Sequence, residues 1–171
     1  MKEHINNLNE ILNLDDIGSV LDCGSGKTSL TFLTNKYPNA KVDAVVYPGD
    51  MRKINSIKEN VKGNYNLIEI DICKRKITKK YDLVLAHLLI GEATTFGNSS
   101  ESLIDRLLKI DSNYFLIYDY LEDVTINYDY LYRRIKENFK ILDQKDFLKH
   151  EPQQFAKFLG KTYRAILIER K

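Results

Sequence analysis

The sequence is poor in residues that mark several classes of protein. It contains no tryptophan, three prolines and two cysteines, Cys23 and Cys73. The two cysteines are too far apart for a common zinc motif and too few for a disulfide framework, so we predict free thiols and no metal. The longest apolar run, Leu83–Gly91, is about half as long as a membrane span and is interrupted by His87. Because the N-terminus also lacks the apolar core of a signal peptide, we predict a cytoplasmic protein with no membrane segment.

The overall composition is that of an ordinary globular domain. Hydrophobic residues make up 43% of the 171 residues and charged residues 29%, which excludes disordered and collagen-like chains. Lys and Arg exceed Asp and Glu by 26 to 24, a balance too even for a dedicated nucleic-acid-binding module. The basic run Lys74–Lys76 is accordingly interpreted as a solvated loop. We predict one domain over residues 1–171, with a helix within residues 1–13, and no autonomous binding of nucleic acid.

Seven apolar segments rich in β-forming residues recur along the chain. They are Ile17–Asp22, Lys41–Val46, Tyr65–Ile70, Tyr81–Ala86, Asn113–Tyr118, Phe139–Asp143 and Tyr163–Glu169. Several of them contain continuous apolar blocks, which are typical of strands buried on both faces of a parallel sheet.

Helical spacing of apolar residues separates most of these strands. The predicted helices lie near residues 5–12, 28–36 and 51–61, after a cap at Ser99 or Ser100, after a cap at Asn127, and at Pro152–Leu159. Residues 92–100 are predicted to form a loop. Alternation of strands and helices predicts a doubly wound α/β sheet with right-handed crossovers.

A glycine-containing loop follows the first predicted strand, with the sequence Asp-Cys-Gly-Ser-Gly-Lys-Thr over residues 22–28. Glycines allow a tight turn and a close approach of the backbone to a ligand, next to the N–H groups of a helix N-terminus. A P-loop would need glycine where the chain has Leu21, and a dinucleotide fingerprint would need glycine where it has Ser29. Neither of these motifs fits the loop.

An acidic residue followed by Gly-x-Gly resembles the first motif of the class I S-adenosylmethionine-dependent methyltransferases. Asp71 matches the family's acid after the third strand, and Tyr81–Ala86 resembles its fourth-strand motif. The resemblance covers most of the chain and implies a Rossmann-like, mostly parallel seven-stranded sheet with an antiparallel C-terminal strand. It also implies S-adenosylmethionine as cofactor and methyl transfer to an O, N or C acceptor. The chain departs from the family at Thr28, in place of the third glycine, and at Val46, where an acid usually binds the ribose.

Ligands of doubly wound sheets bind beyond the carboxyl ends of the strands. Together with the resemblance, this rule selects the candidate cofactor-binding residues Asp22, Cys23, Gly24, Ser25, Gly26, Tyr47, Asp50, Asp71, Ile72 and His87. Several have structural alternatives: Asp50 could cap a helix, Asp22 could only shape the loop, and Tyr47 could be a packing residue.

Two residues could act as a general base that removes a proton from the methyl acceptor. His87 has a suitable side chain at the carboxyl edge of the sheet, and Glu92 is the nearest alternative. Positioning alone could also support methyl transfer. His4 and His150 are predicted to lie at the surface. Two other functions stay open: a non-catalytic binding or scaffold module, favoured by Val46, and an enzyme that uses another adenine nucleotide.

Overall fold

A computed structural model describes residues 2–95, 97–122, 125–148 and 162–171 of the chain. The described residues contain seven strands in a single sheet. The strands are β1 (Ser19–Cys23), β2 (Lys41–Val46), β3 (Tyr65–Glu69), β4 (Tyr81–His87), β5 (Ser112–Tyr120), β6 (Phe139–Leu148) and β7 (Thr162–Arg170). Each lies where the sequence predicts a strand, with ends that differ by a few residues.

The sheet has the order β3-β2-β1-β4-β5-β7-β6. Strands β1 to β5 pair in parallel, whereas β7 runs antiparallel to both β5 and β6. The chain starts in the middle of the sheet, moves outward to β3 and then crosses back to β4. This reversal leaves a crevice at the carboxyl ends of β1 and β4, the place where doubly wound sheets bind ligands. The predicted doubly wound architecture and its antiparallel C-terminal strand are confirmed.

Helices cover both faces of the sheet. They are α1 (Lys2–Ile11), α2 (Lys27–Lys36), α3 (Met51–Asn60), α4 (Leu89–Thr95), α5 (Ser100–Leu108) and α6 (Tyr128–Asn138). Apolar residues of the first three helices pack in one core and those of the last three in another. None of the helices in the described ranges is both long enough and apolar enough to cross a membrane. The predicted helix Pro152–Leu159 and His150 lie outside the described residues.

Three helices begin at the side-chain caps that the sequence predicts. The side chains of Asp50, Ser99 and Asn127 accept hydrogen bonds from backbone N–H groups three residues later, at 3.0, 3.3 and 3.0 Å. Such caps satisfy donors that the first helical turn leaves without a partner. They fix where α3, α5 and α6 start.

The prediction of a loop over residues 92–100 is wrong for residues 92–95, which belong to helix α4. Its cap does not come from the residues before it. The carboxylate of Asp119, at the end of β5, accepts hydrogen bonds from the N–H groups of Ile90 and Gly91 at 2.8 and 3.3 Å. Asp119 is buried, and its negative charge faces the positive end of the helix dipole. Helix α4, which the sequence spacing does not predict, therefore begins at a contact between distant parts of the chain.

Replacing Asp119 should loosen α4. We expect Asp119→Ala to lower the free energy of unfolding by about 2–3 kcal/mol, because two buried N–H groups lose a charged acceptor. Urea denaturation measures this loss. Asp111→Ala, at the exposed opposite end of β5, is the matched control and should change the stability by less than about 0.5 kcal/mol. Equal losses in the two variants would contradict the anchoring role of Asp119.

Candidate functional site

The loop between β1 and α2 depends on one glycine. Gly24 has a φ of +72°, a left-handed conformation that other residues rarely adopt. A Cβ atom added to Gly24 would lie 2.7 Å from Cδ1 of Leu89, the first residue of α4. The N–H of Ser25 donates to the carbonyl of Val45 at 2.7 Å, which ties the loop to β2. The loop is therefore packed against α4 as closely as its backbone allows.

Asp22, at the end of β1, connects the glycine loop to α2 through a hydrogen bond. Its side chain is fully buried, and its Oδ2 accepts a hydrogen bond from Ser29 Oγ of α2 at 2.8 Å. Its Oδ1 has no partner in the described part of the chain. Burial raises the pKa of Asp22 to about 7, although the hydrogen bond from Ser29 and the positive charge of Lys53 act in the opposite direction.

A cavity of about 250 Å³ opens beside this loop, at the carboxyl edge of the sheet. Five of the predicted cofactor-binding residues line it: Gly24, Tyr47, Asp50, Asp71 and Ile72. The other five, Asp22, Cys23, Ser25, Gly26 and His87, are not among its lining residues. The first four of these belong to the loop, either beneath its turn or at the start of α2. Five of the predicted residues therefore face the cavity, and four others form the loop beside it.

Asp71 lies at the end of the cavity nearest the sheet edge. Its Oδ1 accepts a hydrogen bond from the N–H of Cys73 at 3.0 Å, and its Oδ2 is 3.3 Å from Nζ of Lys74. The Lys74 side chain is largely exposed, so this ion pair contributes little to stability. Ile72 is buried next to Asp71. The combination of an acid and an aliphatic side chain suits a flat, nitrogen-rich ring.

The end of β2 contributes an apolar residue and a displaced acid. Val46 is fully buried and lines the cavity. Asp50 also lines the cavity, and only its Oδ1 is used by the helix cap. Its Oδ2 accepts no hydrogen bond from the described part of the chain. Between them, Tyr47 is 61% exposed at the cavity rim.

An ion pair crosses the cavity between two helices. Nζ of Lys53, on α3, lies 3.1 Å from both carboxylate oxygens of Glu92, on α4. Both residues line the cavity. Lys53 is a site residue that sequence reasoning missed, since helical spacing places it on a polar face and gives no sign of a partner on another helix.

His87 lies at the end of β4 but turns toward α1. Its ring stacks on Tyr118 with 5.2 Å between ring centroids, and its Nε2 is 3.3 Å from Nδ1 of His4. Burial, followed by the charges of His4 and Lys53, lowers the pKa of His87 to about 3. His87 is therefore not among the residues that line the cavity, and its catalytic and cofactor-binding roles stay predictions.

His4 corrects another expectation. The sequence predicts a surface position, whereas His4 is half-buried, with its ring centroid 4.9 Å from that of Tyr163 and 5.2 Å from that of His87. The N-terminal helix is thus fixed against the ends of β4 and β7 by aromatic contacts.

Several known methyltransferases are similar to this chain in sequence or in structure. No protein-family model matches the chain. A stretch of 78 residues, 46% of the chain, is 38% identical to malonyl-[acyl-carrier protein] O-methyltransferase 2 of Ilyobacter polytropus, of which it covers 28%. The solved N-methyltransferase NodS of Bradyrhizobium japonicum, in complex with S-adenosylhomocysteine, aligns over 99% of this chain and 86% of its own, with a TM-score of 0.73 and 10% identity. A Listeria monocytogenes protein assigned to the S-adenosylmethionine-dependent methyltransferases aligns over 99% of both chains, with a TM-score of 0.70 and 13% identity.

These likenesses define the class of the fold. The strand order, the antiparallel β7 and the glycine loop after β1 are those of a Rossmann-like α/β domain of the class I methyltransferase type. The chain therefore has the class I methyltransferase fold, as its sequence motifs predict. The structural neighbours establish the fold, and the short match to the Ilyobacter enzyme covers a minor part of that protein.

Two glycines of the loop give a matched test of its geometry. Gly24→Ala should lower the free energy of unfolding by about 2–4 kcal/mol, because alanine disfavours the left-handed φ and its Cβ would overlap Leu89. Gly26→Ala should cost less than about 1 kcal/mol, since its φ is −136° and no atom lies within 4 Å of the added Cβ. Thermal or urea denaturation measures both. Similar losses in both variants would contradict the close contact with α4.

Proposed function

We propose that the chain binds S-adenosylmethionine in the cavity and transfers its methyl group to an O, N or C atom of an acceptor. One observation carries the proposal. The cavity brings the Gly24 turn after β1 together with the Asp71 carboxylate after β3, in a fold shared with a structure that holds S-adenosylhomocysteine. The two comparison enzymes methylate oxygen and nitrogen respectively, so they support methyl transfer without favouring one acceptor atom.

The residues present fit this cofactor. Gly24 exposes backbone where a side chain would overlap α4. Asp71 can accept a hydrogen bond from the adenine amino group, and Ile72 offers an apolar surface to the ring. Tyr47, which is largely exposed at the rim, can cover the nucleoside. Asp22, Cys23, Ser25 and Gly26 act through the shape of the loop.

Asp50 supplies the acid that is missing at Val46. Its Oδ1 is engaged by Lys53 N–H, which fixes the orientation of the carboxylate, and its Oδ2 is left for ribose hydroxyl groups. The buried Val46 cannot hydrogen-bond a sugar, but the cavity still contains a carboxylate after β2. This arrangement favours a cofactor-binding protein over the non-catalytic alternative.

The residues of the chain would contribute to methyl transfer by positioning the reactants and by supplying a charged group that can accept a proton. S-adenosylmethionine supplies a methyl group that its sulfonium already makes electrophilic. The cavity walls on α3 and α4 would hold that group in line with an acceptor and exclude water. Where the acceptor must lose a proton, Glu92 can accept it, because Glu92 lines the cavity and His87 does not.

Ligand-dependent stability tests the proposal. S-adenosylmethionine and S-adenosylhomocysteine at about a hundred times their dissociation constants should each stabilise the chain by about 2.7 kcal/mol, because they bind only the folded state. NAD and ATP at the same concentrations are the controls and should give no comparable shift. The melting temperature measures the effect. Absence of a shift with millimolar concentrations of both sulfur ligands would refute the proposal.

Two substitutions of Asp50 separate its cap from its proposed role at the ribose. Asp50→Asn should keep the stability, since asparagine caps helices as well as aspartate, but should weaken S-adenosylmethionine binding about fivefold or more. Asp50→Ala should weaken binding and also lower the free energy of unfolding by about 1 kcal/mol. Calorimetric titration and urea denaturation measure the two effects. Wild-type affinity in Asp50→Asn would show that Asp50 is a cap and nothing more.

A further inference from the structure

The Lys53–Glu92 ion pair lies inside the cavity that we propose holds the cofactor. It joins the first turn of α3 to the middle of α4 across an open cavity. Its side chains are 23% and 45% exposed, and ion pairs with such access to water contribute little to stability. Helix α4 is already anchored by Asp119. The pair therefore costs little free energy to break, and it lies in the cavity proposed for the ligand.

The position of Lys53 along the cavity indicates which part of a ligand it meets. Asp71 follows β3 at the sheet edge, whereas Glu92 belongs to the helix after β4, on the other side of β1 and β2. With adenine at Asp71, the amino-acid end of S-adenosylmethionine would extend toward Lys53. The charge of Lys53 also acts on Asp22 under the glycine loop and on His87 at the end of β4. Lys53, Glu92 and the Gly24 turn line the same cavity, which places the ammonium group of Lys53 between α3 and α4.

The second lysine of the cavity cannot serve the same purpose. Lys74 is 76% exposed and pairs with Asp71, at the opposite end. Lys53 is the more enclosed cation and is already bound to a carboxylate in bidentate fashion. A carboxylate on a ligand would present the same two oxygens to Lys53 as Glu92 does.

We propose that the Lys53–Glu92 ion pair is an electrostatic latch, in which the carboxylate of S-adenosylmethionine replaces Glu92 on Lys53 when the ligand binds. The inference rests on the proposed function. Exchange of one carboxylate for another keeps the partly buried ammonium group of Lys53 paired throughout. Glu92 is released toward the acceptor side of the cavity, and the latch selects ligands that carry a carboxylate.

The test compares S-adenosylmethionine with decarboxylated S-adenosylmethionine, which keeps the sulfonium and ammonium groups. The measured quantity is the ratio of the two dissociation constants, obtained by calorimetric titration at fixed salt. The wild-type chain should prefer the intact ligand. Lys53→Met should reduce that preference about tenfold or more, the loss expected for one charge-assisted hydrogen bond. Glu92→Gln should increase the preference, because the competing carboxylate is gone.

Lys74→Met is the matched control. It removes the same charge from the same cavity, but at the adenine end, so it should affect both ligands alike and leave the ratio near the wild-type value. A ratio in Lys53→Met equal to that of wild type, or a change as large in Lys74→Met, would overturn the latch. Circular dichroism checks the fold of each variant. If Lys53→Met does not fold, Glu92→Gln decides, and an unchanged or lowered preference there rejects the latch.

The same titration separates this inference from the proposed function. A wild-type chain that binds neither ligand refutes the proposed function and the latch with it. A wild-type chain that binds S-adenosylmethionine, with a ligand preference that is insensitive to Lys53, refutes the latch alone.

Discussion

The contact between Gly24 and Leu89 is the constraint on which the candidate site depends. Because Gly24 has no Cβ, the Leu89 side chain of α4 lies closer to the turn that follows β1 than a Cβ atom at that position would allow. Helix α4 carries Leu89, Glu92 and Ala93 into the cavity wall, so the same contact sets how far that wall stands from the loop. Asp119 fixes α4 from the opposite direction, through the N–H groups of its first turn. The loop and α4 therefore act as one unit.

Most of the fold follows from local patterns in the sequence. Strands β2 and β5 contain continuous apolar blocks because helices cover both faces of the sheet, and the sequence pattern reflects this burial. Helix α4 escaped prediction for an equally physical reason. Its first residues prolong the apolar run of β4, and its cap belongs to Asp119, far along the chain. A helix that is started by a tertiary contact leaves no capping signal in its own sequence.

The candidate site shows the same division between local and long-range information. The glycine loop and Asp71 are read from motifs because each follows directly from the strand before it. The environment of His87 is not local: successive side chains of a strand face opposite sides of the sheet, and His87 turns toward His4 and Tyr118. Lys53 has no local signal either, since its partner Glu92 belongs to another helix. The spacing of motifs in the sequence identifies the edge of the sheet where a site lies. Tertiary packing determines which side chains reach that edge.

The first turn of α3 connects two groups of the proposed site, Asp50 and Lys53. Asp50, which we propose binds the ribose in place of an acid at Val46, accepts its cap hydrogen bond from the N–H of Lys53 itself. The orientation of the carboxylate and the position of the Lys53 side chain are therefore set by a single turn. Glu69 supports that turn from β3 by accepting a hydrogen bond from the N–H of Gly49 at 3.4 Å. An acid at the start of a helix, rather than at the end of a strand, thus couples the group proposed for the ribose to the group proposed for the carboxylate. Any change that frays this turn would disturb both of these groups.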